Sequence, residues 1–218
     1  MEKTIKILIC DSQPIVRFGL QCLVSETPAM MVIGQAQDGE EVVAMARTLK
    51  PDVIVMDLAL SRKNGVDAIR EIKKENPEVR VLVFTDFSDE KHVFPALKAG
   101  ASGYLLKDYS TGDLLQAVND VYEGKSSLHP VIARKVIQEL HHPSVLAPAE
   151  ESLSEREIEV LKCVARGMSN HEIARTLRIK VGTVRIHVGH ILDKLKLTNR
   201  TQAALYALRK GHAQLDER

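Results

Sequence analysis

No stretch of this chain is apolar for long enough to cross a bilayer as a helix, and Met1-Glu2-Lys3-Thr4 does not begin a secretion signal. These absences set aside a membrane protein and predict a cytoplasmic one. Cysteine is scarce and odd in number. Cys10, Cys22 and Cys163 lie in apolar patterns, which excludes a disulfide framework and fits buried thiols in a reducing compartment. None of them is grouped with histidine at zinc spacing. Internal repeats are also missing, so a solenoid or propeller is excluded. Net charge is almost missing too: the formal value is +1.

What is present is enough for about two domains. The 218 residues are 44% hydrophobic and 27% charged, a composition that supports packed cores in a soluble protein. The small net charge conceals a separation. Residues 1–123 hold 14 Lys or Arg against 19 Asp or Glu, whereas residues 153–218 hold 13 against 7. An acidic front and a basic rear point to polyanion binding by the rear.

The front alternates short apolar runs with helical patterns. Ile5–Cys10, Met31–Ala36, Val53–Met56, Val79–Phe84 and Gly103–Leu106 read as five strands. Helices follow each of them, the last being Leu114–Tyr122. That alternation predicts an α/β, doubly wound, parallel five-stranded sheet. Ligands of such sheets bind beyond the carboxyl ends of the strands. Asp11, Asp57, Thr85 and Lys107 fall there, after strands one, three, four and five. Taken singly, each is a polar loop residue; four at one sheet edge make a candidate site.

The rear is helical. Leu153, Ile158, Leu161, Val164 and Ala165 keep one helical face, Gly167 breaks the helix, and Ser169 or Asn170 caps the next. Ile173, Ala174 and Leu177 form its inner side. Val184, Val188, Ile191, Leu192 and Leu195 then line a longer helix, whose outward side carries Arg185, Ile186, Gly189, His190 and Lys194. Two helices joined by a short turn, the second basic outside, suit entry into a DNA major groove. Between front and rear, Val131–Leu140 reads as a short helix and His141–Ala149, with its two prolines, as a flexible linker. The domain limits are thus 1–123, a connection at 124–150, and 151–218.

Two literal strings sharpen these patterns. Leu153-Ser154-Glu155-Arg156-Glu157, Gly167–Ala174, Thr183–Val188, Lys194-Leu195 and Asn199–Ala204 closely resemble the LuxR-type DNA-binding domain over about 55 contiguous residues. Asp11, Asp57-Leu58 with Gly65, Thr85 and Gly100–Asp108 resemble a response-regulator receiver, a flavodoxin-like fold, over roughly residues 4–123. Together the chain resembles the NarL/FixJ family of two-component transcription factors, with a receiver followed by an all-α, four-helix helix-turn-helix domain. The resemblance implies Asp57 as phospho-acceptor and Mg2+ held with Asp11 and Asp57. It also implies Lys107 on the phosphoryl oxygens, Thr85 hydrogen-bonded to one of them, and Tyr104 as the aromatic that reports the shift. On the DNA side it implies base reading by Arg185 and Ile186, and phosphate contacts from Thr183, Asn170 and Arg200, with His190 on the same face. Arg suits guanine O6 and N7, and Ile suits a thymine methyl. The implied partners are double-stranded DNA, a sensor histidine kinase, RNA polymerase and a second copy of the chain, with no membrane.

The sequence departs from the family at telling positions. The second of two adjacent acids after strand one is here Ser12, which weakens a Mg2+ site that depends on anionic oxygens. Asp86 follows Thr85 where a small residue is usual, and Leu60-Ser61 stands for the usual Met-Pro. Asp86 either repels an incoming phosphoryl group or replaces the missing acid by pointing inward. Lys180 takes the recognition-helix cap usually held by Ser, and Gly182 and Gly189 each remove a side-chain contact. Two modes of control stay open: phosphorylation of Asp57, or an atypical receiver governed by protein or ligand contacts. An enzyme reading, a metal-dependent phosphatase built on Asp11, Asp57 and Asp86, would need an activated water and lacks any substrate-pocket signature. A pure interaction module that has lost DNA binding is opposed by Thr183-Val184-Arg185.

Overall fold

The computed structural model describes residues 4–140, 153–197, 199–210 and 212. Contacts divide the chain into two compact units, Met1–Tyr122 with Ser127–Ile132, and Glu123–Ser126 with Ala133–Arg218.

In the first unit, β1 (Ile5–Cys10), β2 (Met30–Ala36), β3 (Val53–Met56), β4 (Arg80–Thr85) and β5 (Gly103–Leu106) alternate with α1 (Pro14–Ser25), α2 (Gly39–Leu49), α3 (Gly65–Glu75), α4 (Glu90–Ala99) and α5 (Thr111–Tyr122). The inner strands β1, β3, β4 and β5 are buried almost throughout, as parallel strands under two helical layers must be, while β2 lies half-buried at the edge. Ile7, Ile9, Ile54, Met56, Leu82 and Leu105 form the sheet's share of the core. The order is β2-β1-β3-β4-β5-β6. The sixth strand, β6 (Ser127–Leu128), corrects the expected count of five. It was illegible because two residues carry no periodicity; pairing of Gly103 with Ser127 and of Tyr104 with Leu128 defines it. α6 (Pro130–Leu140) follows, with proline at its start, where a missing N–H costs nothing. The linker expected at His141–Ala149 lies outside the described residues.

Because the order reverses at β1 and β3, the tips of these two strands diverge to other neighbours and leave a crevice. Cys10 pairs with Met56, so Asp11 and Asp57, each one residue on, emerge side by side. Thr85 pairs with Leu106, which brings Lys107 next to Thr85. Gly65 lets α3 start close against this edge. A Cβ there would stand 2.7 Å from Leu58 Cα and 2.9 Å from the Asp57 carbonyl oxygen.

In the second unit, α7 (Glu155–Ala165), α8 (Asn170–Leu177), α9 (Val181–Lys194) and α10 (Arg200–Arg209) surround a core of Val160, Leu161, Val164, Ile173, Val184 and Ile191. Ser154 with Glu157, and Ser169 with Glu172, close reciprocal capping boxes at α7 and α8. Asn199 caps α10 through Gln202 N. Gly167, at φ 73°, supplies the left-handed turn between α7 and α8. α8 and α9 are the two helices of the helix-turn-helix.

Candidate functional site

At the sheet edge of the first unit, Asp11 and Asp57 are buried beside a single cation. Lys107 Nζ lies 2.8 Å from Asp11 Oδ2 and 2.8 Å from Asp57 Oδ2. The other carboxylate oxygens are also engaged: Asp11 Oδ1 accepts from Gln13 N–H, and Asp57 Oδ1 accepts from the N–H groups of Leu58 and Ala59. Burial works against the ammonium, but the bonds to Asp11 and then Asp57 prevail and hold the Lys107 pKa above its ordinary value. Lys107 therefore stays charged at any physiological pH. Thr85 is fully buried, and its Oγ1 is the one buried side-chain polar atom without a partner among the described residues. Such an orphan is costly unless something binds it.

Tyr104 has no exposed surface, and its hydroxyl donates to the Phe87 carbonyl oxygen at 2.8 Å. Burial, then the charges of Asp89 and Asp57, push its pKa up, so it remains a neutral donor. Phe87 in turn stacks on the His92 ring at 4.0 Å, and His92 Nδ1 meets the Asp89 carboxylate at 2.8 Å. The loop after β4 is thus tied to the Tyr104 ring. Cys10, beneath the pocket, has its thiol pKa pushed up by burial and then by surrounding carboxylates, so it is no nucleophile.

One of the two alternatives for Asp86, that it points inward to replace the missing acid, finds no support in this geometry. Asp86 is exposed, and it does not join Asp11 and Asp57: among the described residues no three metal-ligating side chains gather. Ser12 is exposed as well. The residue that sequence reading missed is Arg17. Its Nη1 donates to the Asp11 carbonyl oxygen at 2.7 Å, placing a second cation on the residue that supplies a pocket carboxylate. The available signal was a cation on the helix that leaves the first acidic strand tip.

In the second unit, α9 begins at Lys180, whose side chain makes no capping bond. Lys180, Arg185, Ile186 and His190 are exposed and Thr183 is half-buried, while Val184 and Ile191 hold the opposite side in the core. Ile186 keeps 58% of its surface exposed, an apolar group standing free on a polar face. Three expected outward groups are instead engaged. Asn170 is buried and its Oδ1 accepts from Arg200 Nη1 at 3.1 Å. Arg200 also donates to the Met168 carbonyl. Lys194 does not stand on the outward face with Arg185. It reaches across to Glu157 at 2.8 Å, because Glu157 is buried on α7 and needs a cation. Burial raises the Glu157 pKa, but its bonds to Lys194 and Ser154 outweigh that and bring it down to about 2.

Residues 7–119 match the response regulator receiver domain family, and residues 151–207 match the bacterial regulatory proteins of the luxR family. The chain is 39% identical over 205 residues to the transcriptional regulatory protein LiaR of Bacillus subtilis, covering 94% of this chain and 97% of that protein. It is 39% identical over 211 residues to the response regulator protein VraR of Staphylococcus aureus, covering 97% and 100%. Among solved structures it is similar to the response regulator ChrA of a heme-sensing two-component system (TM-score 0.53, 32% identity, 96% of this chain and 98% of that one). It is also similar to a LuxR-family two-component response regulator from Aurantimonas sp. SI85-9A1 (TM-score 0.60, 34% identity, 63% and 98%).

Proposed function

Because the chain belongs to the response regulators, with a receiver followed by a LuxR-family DNA-binding domain, we propose that Asp57 is the phospho-acceptor through which the receiver controls DNA binding. The chain is a transcription regulator of the two-component type, not an enzyme, and the phosphatase reading is set aside by that membership. The observation that carries the assignment of Asp57 is the triad of groups around it: Lys107 at 2.8 Å, Asp11 beside it, and the unpartnered Thr85 hydroxyl. With Asp57 as the acceptor, Lys107 is a point cation and Thr85 a hydrogen-bond donor for phosphoryl oxygens, and Asp11 holds Lys107 in place. Tyr104 reports the pocket to the rest of the domain, and a sensor histidine kinase supplies the phosphoryl group.

Receiver domains generally bind Mg2+ at their acidic pocket. Here the donor set fits Mg2+ poorly. Asp11 and Asp57 are hard oxygen ligands, but Ser12 offers no carboxylate, and Asp86 is exposed and does not join them. The same departures support a second reading, a receiver working independently of phosphorylation through protein or ligand contacts.

On the DNA side, Arg185 and Ile186 read bases in the major groove, with Lys180, Thr183 and His190 along the same face. Arg200, half-buried, is the phosphate contact of its pair, and buried Asn170 holds its guanidinium. The protein binds DNA as a homodimer on half-sites about 10 base pairs apart or a multiple. The receiver occupies residues 1–123 and the DNA-binding domain 151–218. RNA polymerase is the downstream partner. No helix among the described residues is long and apolar enough to cross a membrane, which supports a cytoplasmic place.

The test is a DNA titration across salt concentration with Arg185→Ala alongside. Affinity falls steeply with salt, because bound Lys and Arg release counterions. Arg185→Ala costs on the order of 1–3 kcal/mol and relaxes base preference. A salt-independent affinity, or an unchanged footprint in the variant, removes α9 from the reading role.

A further inference from the structure

We propose that Lys73, near the end of α3 remote from the acidic pocket, is an acylation site whose amine the fold prepares for small acyl phosphates. No acid holds this amine. Lys63, Lys107 and Lys194 each meet a carboxylate. Among the described residues Lys73 meets none. Its Nζ donates instead to the carbonyl oxygens of Pro77 at 2.5 Å and Val79 at 2.9 Å, spanning the turn between α3 and β4. Its stem is wedged under Gly100, the left-handed cap of α4, where a Cβ would stand 2.9 Å from Lys73 Cγ and 3.2 Å from Cε. The side chain is half-buried, while Pro77 and Glu78 of the turn, and Lys74 beside it, are exposed. A small donor reaches the amine from the side of the turn.

In this setting an ammonium loses water and gains no anion. Two carbonyl dipoles replace part of its hydration shell without supplying a counter-charge. Burial first, and Arg80 second, lower the Lys73 pKa from 10.5 to about 8, with Glu78 opposing them. Roughly a quarter of the amine is then neutral at pH 7.5, against about one part in a thousand for an ordinary lysine. Only the neutral form has the lone pair that attacks a carbonyl carbon. Lys107 is the contrast: its bonds to Asp11 and Asp57 keep it charged and so protect it.

The step needs the acyl phosphate alone. Neutral Nζ attacks its acyl carbon. The N–C bond forms as the bond from that carbon to the phosphate oxygen breaks, and inorganic phosphate leaves with that electron pair. The nitrogen gives its extra proton to solvent, and nothing is oxidised. Attack at carbon rather than phosphorus makes the step independent of Asp57. The resulting amide has lost the charge beside Arg80 and keeps a single N–H for two carbonyls, so the turn after α3 loses one of its two ties.

The experiment treats the full chain with acetyl phosphate and reads acetyl groups by peptide mapping, with exposed Lys74 as the internal reference. At pH 7.5 the proposal expects Lys73 to be acetylated at least about tenfold faster than Lys74, the larger gain in neutral amine being offset in part by half-burial and lower basicity. The Lys73 rate levels off above about pH 9 while the Lys74 rate keeps rising, so the ratio shrinks. In concentrated guanidinium chloride the two rates become equal, because the unfolded chain desolvates neither amine. A native Lys73 rate equal to or below that of Lys74, or no acetyl group on either, overturns the proposal. A lead that survives unfolding overturns it as well, since local sequence and not the fold would then be its cause.

Discussion

Glu157 shows how much of the DNA-binding unit hangs on one side chain. It is buried, it closes the α7 capping box, and it receives Lys194 of α9 at 2.8 Å. Its pKa lies at about 2 against an ordinary 4.5. A depressed folded pKa means that the stability it provides is fully present above about 4.5 and is lost as pH falls toward 2. Lys194 is partly exposed, which screens the pair, so we expect Glu157→Gln to cost about 1–2 kcal/mol at neutral pH. The variant's stability is also flatter than the wild type's between pH 4.5 and 2. Urea unfolding of both proteins across that window checks the sign. The pair was illegible in the sequence: Glu157 and Lys194 are 37 residues apart. Lys194 reads as one more outward cation until its partner is seen. Arg17 escaped for a similar reason, since it meets the backbone of Asp11 rather than a recognisable side-chain partner. Asp86 was undecidable for the opposite reason. Its type fits either direction, and only its exposure rules out the inward one.

At the scale of elements, periodicity and punctuation carried most of the reading. The apolar runs gave β1, β3 and β5 at the bounds observed, and the tips of the strands set Asp11, Asp57, Thr85 and Lys107 at one edge. β6 was beyond reach, because pairing alone creates it. In the helical unit, Ser169 rather than Asn170 proved the cap of α8, which leaves Asn170 free to bond Arg200. α9 is the weakly started helix. Its cap position holds Lys180, which makes no side-chain bond to the first turn, while α7, α8 and α10 are capped by Ser154, Ser169 and Asn199. Lys180→Ser supplies the missing acceptor, and we expect it to stabilise the unit by about 1 kcal/mol, read as a rise in the unfolding midpoint. If Lys180 contacts a DNA phosphate, the same change lowers the salt dependence of binding by roughly one unit of slope. A stabilised variant with unaltered salt slope removes Lys180 from the interface.

At the scale of the molecule, an acidic receiver and a basic DNA-binding domain are joined so that the state of one sets the activity of the other. The resting receiver already holds Tyr104 wholly buried, its hydroxyl on the loop after β4. If Tyr104 is the ring that reports the pocket, as proposed, a ring with no surface left to bury has little further to travel, and occupancy of the pocket then shifts the equilibrium only modestly. The unmodified protein should therefore bind its DNA, and phosphate on Asp57 should strengthen that binding by less than about tenfold, under ~1.4 kcal/mol. The decisive measurement is a titration of one duplex with protein whose phosphate content on Asp57 is known by intact mass, beside Asp57→Ala. The account predicts tighter binding that scales with that content, by a factor of roughly two to ten, and an Asp57→Ala curve that matches the unmodified protein before and after treatment. Identical curves for fully phosphorylated and unmodified wild type would contradict control through Asp57 and favour a receiver that works by contacts alone.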